Sequence, residues 1–219
     1  MSFTFAIFFA SVVSFFIDGG FFMILLLVLS IVALTVIIQR GIALREAAVI
    51  PLRVEQEVEK LEPGDDLGAL LDAIEEEPTP LSRILLTLIR HASWPRSENA
   101  EAVQTQARHE TARLESGLVI LEISTGVAPL LGLLGTLSGL VGIFANVGDG
   151  DPIVLARGIS EALNTTIMGL AVSAPSMIAH NYYMRKIEVM SVEMESVTAA
   201  LLSKCYPNPG EQPSISPLK

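Results

Sequence analysis

The sequence predicts an all-α integral membrane protein with three transmembrane helices, the second and third extended into the cytoplasm as long helices. Two observations predict this and a third orients it. First, 51% of the residues are hydrophobic and only 17% are charged, against about 25% charged in ordinary soluble domains. Second, the charge is uneven. Gly19–Gln39, Ile123–Gly148 and Ala162–Met184 contain no Asp, Glu, Lys or Arg, and each run is long enough to cross a hydrocarbon core of roughly 30 Å as a helix. Third, of the 14 Lys and Arg only Arg157 lies between the second and third runs; the others follow the first or the third. Basic residues near spans mark the cytoplasmic side. The N-terminus is therefore expected outside and the C-terminus inside.

The expected organisation is an outer interfacial segment over 1–19, span one over 20–39, and a cytoplasmic helical loop over 40–122. Span two follows over 123–147, then an outer turn and the start of the third helix over 148–160, then span three over 161–184. A helix extension and a disordered tail fill 185–219, since four prolines fall in Tyr206–Lys219. Residues 1–17 are apolar without a basic start, and they fit either a retained helix along the outer membrane face or a disordered end. In the loop, Pro63-Gly64, Pro78–Pro80 and Trp94-Pro95 break the chain into Ile42–Leu61, Asp66–Glu77 and Leu81–His91. Leu81, Ile84, Leu85 and Leu88 share a helical face, and Pro80 suits the first helical position. Ser97 is the expected cap of the next helix, followed by Glu98 and Glu101 at its positive end. That helix is expected to run without interruption to Asn146, and the third from Pro152 to Lys204.

Composition also excludes functions. A net charge of −10 suits no phosphate backbone. The single cysteine, Cys205, allows no disulfide framework and reads as an inert side chain. No nucleophile–base pair, metal cluster or phosphate loop is evident, so neither an enzyme nor a cofactor is expected.

Several residues in the spans are unusual. Ala128, Gly132, Gly135, Gly139 and Gly142 recur at steps of four and three, which places them on one face. Such a stripe lets helix backbones approach closely in lipid. Thr125 and Thr136 lie near one another in angle, and Thr166, Gly169, Ser173, Met177 and His180 form a second stripe. Either these hydroxyls bond their own backbone, or the aligned set lines a polar pathway. Pro129 and Pro175 lie inside spans, where they shape a pore or improve packing. Glu161, at the outer edge of span three, is either a functional acid or an interfacial carboxylate at a helix start; His180 reads as an interface residue, and Arg157 as a surface residue of the outer end. No Asp or Glu lies in the middle of a span. A proton relay through this chain would thus need a carboxylate from a partner.

The runs Ile123–Val141 (ISTGVAPLLGLLGTLSGLV) and Gly158–Pro175 (GISEALNTTIMGLAVSAP) resemble the signature of the MotA/TolQ/ExbB proton channel family. Asp18–Met23 (DGGFFM), with Arg40 ending span one, looks like the start of ExbB-type members, and three spans suit ExbB or TolQ better than flagellar stator subunits. The resemblance covers about residues 18–204. It implies that Thr136 and Thr166 are the pore threonines of spans two and three, that Glu161 is the motif acid with Ser160 in place of Ala, and that Pro129 and Pro175 are the two family prolines. It further implies a homo-pentamer around two helices of an ExbD/TolR-like partner whose membrane Asp carries the proton, coupled to a TonB- or TolA-like protein. Arg157, Asn164 and Thr165 depart from the usual pattern, the last two replacing more apolar residues.

Overall fold

The computed structural model describes residues 20–146 and 152–206. Eight helices and no strands occur among them: α1 (Gly20–Ala43), α2 (Glu46–Val49), α3 (Leu52–Lys60), α4 (Gly68–Glu76), α5 (Pro80–Arg90), α6 (Arg96–Glu115), α7 (Leu118–Asn146) and α8 (Pro152–Cys205). Three of them, α1, α7 and α8, are long and apolar enough to cross a membrane. The expectations for residues 1–17, for the turn at 149–151 and for 207–219 lie outside the described residues. The chain forms two compact units, Met1–Gln39 with Gly117–Tyr182, and Arg40–Ser116 with Tyr183–Lys219.

The first unit contains the apolar spans. With 24 residues in α1 and 29 in α7, these helices extend about 36 and 43 Å at 1.5 Å per residue. Their large side chains mostly point outward. Ile24, Val28, Ile31 and Leu34 of α1, Leu130, Leu133 and Leu137 of α7, and Ile167 and Leu170 of α8 are exposed. In water such a surface would drive aggregation; facing lipid it is the ordinary outcome. The interior is small and tight, formed by Leu26, Ala128 and Val172 with Leu29, Leu131 and Met168 against them.

The second unit is built as a soluble helical domain. Leu81, Ile84, Leu85 and Leu88 of α5 are fully buried, as their shared face predicts. Pro80 stands at the start of α5 as expected, and Thr79 is the cap, its hydroxyl accepting the Ser82 amide at 3.3 Å. A buried ion pair fixes α6. Glu110, with no exposed side chain, accepts from Arg83 Nε at 2.9 Å and Nη2 at 2.6 Å, and from Gln106 Nε2 at 2.8 Å. That hydrogen bonding raises the Arg83 pKa above its ordinary value. The Tyr206 hydroxyl lies 3.0 Å from the carbonyls of Ala92 and Trp94 and accepts from Asn99 Nδ2 at 3.0 Å. Tyr206 is thus buried and anchored, rather than the first residue of a disordered tail. Cys205 is buried, and burial pushes its thiol up to about 12, which suits an inert role.

Three local expectations are corrected. The run Ile42–Leu61 is divided, because Pro51 has no amide to continue the ladder and sits instead as the cap of α3. Pro95, not Ser97, holds the cap position of α6, and no side chain caps it. The uninterrupted helix to Asn146 is two helices, broken where Gly117 adopts φ +88°, a region glycine enters without steric penalty. The Ser116 hydroxyl donates to the Arg113 carbonyl at 2.7 Å there, satisfying a helix end. The third helix does run on, for 54 residues to Cys205.

Candidate functional site

The site lies in the first unit, where α7 and α8 meet, and glycine makes the meeting possible. A Cβ on Gly132 would lie 2.8 Å from the Thr165 carbonyl oxygen and 3.0 Å from Thr166 Cα. A Cβ on Gly169 would lie 2.6 Å from the Ala128 carbonyl oxygen. Both obstacles are backbone, so no side-chain rotation relieves them. A Cβ on Gly135 would strike Thr165 Oγ1 at 2.7 Å, and one on Gly139 would strike Ala162 Cβ at 2.9 Å. Gly142 differs from the other glycines of the stripe: among the described residues, a Cβ there would meet no atom of another element within 4 Å.

This close approach brings hydroxyls of the two helices together. Thr136 Oγ1 lies 2.5 Å from Thr166 Oγ1 and 3.3 Å from Thr165 Oγ1. It also lies 3.2 Å from the Gly132 carbonyl and 3.0 Å from that of Ala162. Thr136 and Thr165 are buried, and Thr166 is half-buried. The cluster therefore has one edge toward the surface and a dry interior, where a hydrogen bond is strong and a missing one is expensive.

A second polar crossing lies about two turns away. Pro129 has no amide, so the Thr125 carbonyl loses its helical partner. The Ser173 hydroxyl of α8 donates to that carbonyl at 2.7 Å, while the Thr125 hydroxyl turns back to the Leu121 carbonyl at 2.9 Å. Ser173 thus satisfies a backbone group that proline frees, as intramembrane prolines require. Met177 is exposed and His180 half-buried. Thr166, Gly169 and Ser173 of the aligned stripe pack against α7. Pro175 is exposed in α8.

Glu161 lines the same cavity as Thr165 but pairs elsewhere. It is partly exposed and accepts from Arg157 Nε at 2.8 Å, one helical turn away. Such a pair contributes about 0.3–0.5 kcal/mol in water. Arg157 is thus the ion-pair partner of Glu161, which a sequence reading as a surface residue leaves out. The cavity it lines is open, of about 260 Å³, and is shared with Gly135, Ser138, Gly139 and Gly142.

The residue that sequence reasoning passed over is Thr165, seen only as a departure from a family pattern. It is 1% exposed and donates toward the Ala162 carbonyl at 2.8 Å. Gly135 is the signal that marks it, since the room for its side chain is the Cβ that Gly135 lacks.

The MotA/TolQ/ExbB proton channel family matches residues 76–196. A putative biopolymer transport protein ExbB homolog of Methanothermobacter thermautotrophicus is 31% identical over 184 residues, covering 83% of this chain and 66% of that protein. A putative biopolymer transport protein ExbB-like 3 of Synechocystis is 28% identical over 170 residues, 75% of this chain and 81% of that one. A biopolymer transport protein ExbB of Helicobacter pylori is 41% identical over 81 residues, 36% of this chain and 56% of that one. The chain therefore spans just under two thirds of the Methanothermobacter relative and little more than half of the Helicobacter one.

Proposed function

This chain belongs to the MotA/TolQ/ExbB proton channel family, and from that premise we propose that it is the pore-forming subunit of a motor driven by the proton-motive force. It sits in the cytoplasmic (inner) membrane of a cell, with its N-terminus outside and its C-terminus in the cytoplasm. Five copies surround two helices of an ExbD/TolR-like partner. Proton flow through the assembly moves those helices, and the motion passes to a TonB- or TolA-like protein.

The observation that carries this reading is the Thr136–Thr166 contact of 2.5 Å. It joins two apolar spans through hydroxyls at a depth where no carboxylate of the chain lies. A hydroxyl both donates and accepts, so it solvates a partner carboxylate and equally the protonated acid. Thr136 and Thr166 are the residues proposed to meet that partner group, with Glu161, Thr125 and Ser173 along the pathway. The glycines and Pro129 build the helix contact, and Pro175 shapes α8.

The test is proton uptake by liposomes holding the chain with and without an ExbD/TolR-like protein. Uptake is expected only with the partner and its membrane Asp, and Thr166→Val is expected to abolish it while the complex stays intact. Uptake by the chain alone would make it a self-contained channel. No uptake from a verified intact complex would leave a structural scaffold as the better reading.

A further inference from the structure

Three hydroxyls at the α7–α8 crossing compete for two carbonyls. The Gly132 oxygen lies 3.2 Å from Thr136 Oγ1, 3.1 Å from Thr165 Oγ1 and 3.2 Å from Thr166 Oγ1. The Ala162 oxygen lies 3.0 Å from Thr136 Oγ1 and 2.8 Å from Thr165 Oγ1. A carbonyl has two lone pairs, and inside a helix one of them takes the amide four residues on. Each oxygen thus has one place left, and two places face three hydroxyl hydrogens.

We infer that Thr165 is a positioning residue: by filling the remaining place on the Ala162 carbonyl, it leaves Thr136 and Thr166 to share the Gly132 carbonyl and so keeps their hydroxyl pair reversible. Two arrangements then satisfy both hydrogens of the pair through each other and the Gly132 carbonyl, the 3.3 Å contact of Thr136 with Thr165 being the longest alternative. In one, Thr136 donates to Thr166 and Thr166 donates to Gly132. In the other, Thr166 donates to Thr136 and Thr136 donates to Gly132. Interconversion needs only two hydroxyl rotations, with no backbone movement. The two arrangements present different lone pairs at the half-buried edge, where Thr166 lies.

Thr165 itself is too buried to touch a moving group, so it acts through its neighbours. Take its hydroxyl away, and the Ala162 carbonyl becomes the acceptor for Thr136 at 3.0 Å. A Thr136 hydrogen drawn there is lost to Thr166, so the pair is biased toward the arrangement in which Thr166 donates. This inference rests on the proposed pore role of the pair: a reversible pair serves a partner acid that is ionised at one stage and protonated at the next.

The side chain offers a clean experiment, because Val keeps the shape of Thr without the hydroxyl and Ser keeps the hydroxyl without the methyl. Partner-dependent proton uptake by liposomes is measured for Thr165→Val, Thr165→Ser and Thr166→Val, with the mass of each complex checked. Thr165→Val is expected to slow uptake about tenfold, the scale of one hydrogen bond in a barrier, and Thr165→Ser to restore it. A packing role predicts the reverse order, and that order would overturn the inference. Normal uptake by Thr165→Val while Thr166→Val is inactive would also overturn it, with the pore reading left standing. Normal uptake by Thr166→Val would instead remove the pore reading beneath it. Should Thr165→Val fail to assemble, Thr165→Ala removes the same hydroxyl without placing a methyl where the oxygen sat, and carries the same expectation. Failure of both to assemble would assign the hydroxyl to folding and overturn the proposal.

Discussion

The two units of this chain solve the same packing problem with opposite materials. In the second, the interior is made of large apolar side chains such as Leu81, Ile84, Leu85 and Leu88, and its charges are exposed or paired. In the first, most of the large apolar side chains are outside, and the closest helix contact is made by Gly132, Gly169 and three threonines. The difference follows from the solvent. Burying a Leu from water contributes about 1.5–3 kcal/mol, but lipid is as apolar as Leu and gives no such return. What remains in lipid is close contact and hydrogen bonding, which small residues and hydroxyls supply. The chain thus places its proposed pore hydroxyls where its packing also depends on polar groups.

The comparison breaks most visibly at Gly169. Leu there meets backbone of α7, at 2.6 Å from the Ala128 oxygen already at the Cβ, so the helices must separate. Overpacking typically destabilises by about 1–3 kcal/mol and by more where nothing yields, and the expected result is loss of the folded chain from size-exclusion chromatography in detergent. A folded Gly169→Leu protein would show that the crossing is looser than these distances imply.

A smaller effect is expected in the second unit from Glu110→Gln. Arg83 and Arg113 would lose the charge they share, at 2.6 and 3.4 Å. Breaking a buried pair costs about 3–5 kcal/mol, and the lower end applies because the Arg83 side chain is 38% exposed. The only tryptophan, Trp94, belongs to this unit, so its fluorescence reports unfolding of this unit. An earlier denaturant midpoint is expected by Trp94 emission, and an unchanged midpoint would mean that the pair adds nothing to stability.

How much the sequence discloses also differs between the units. The spans were legible because absence of charge over twenty residues has few other causes, and the leucine face of α5 because its periodicity is strong. The steps of four and three found the face of α7 that packs. Partners across space were less legible. Nothing near Thr165 in sequence points to Gly135 or to the Gly132 carbonyl, and Tyr206 looks like the start of a proline-rich tail until Asn99 and the Ala92 carbonyl meet it. The break at Gly117 was missed because one glycine inside a helical pattern is usually tolerated; only its φ of +88° distinguishes it.

The finest test of the comparison is within the glycine stripe itself, between Gly135 and Gly142. Periodicity treats them alike, since they stand seven residues apart on one face. Geometry does not. Gly135 faces Thr165 at 2.7 Å, whereas a Cβ on Gly142 would meet no atom of another element within 4 Å among the described residues. Gly142→Ala therefore adds a methyl that strikes none of the described side chains, and Ala is favoured over Gly in a helix interior by about 0.8–1.0 kcal/mol. It is expected to leave folding intact or improve it slightly, while Gly135→Ala displaces Thr165 and lowers the thermal midpoint. Equal destabilisation by the two would mean that a neighbouring helix covers Gly142 in the assembled complex. Measuring both variants first in the isolated chain and then in the proposed complex with an ExbD/TolR-like protein would separate contact within the chain from contact between chains.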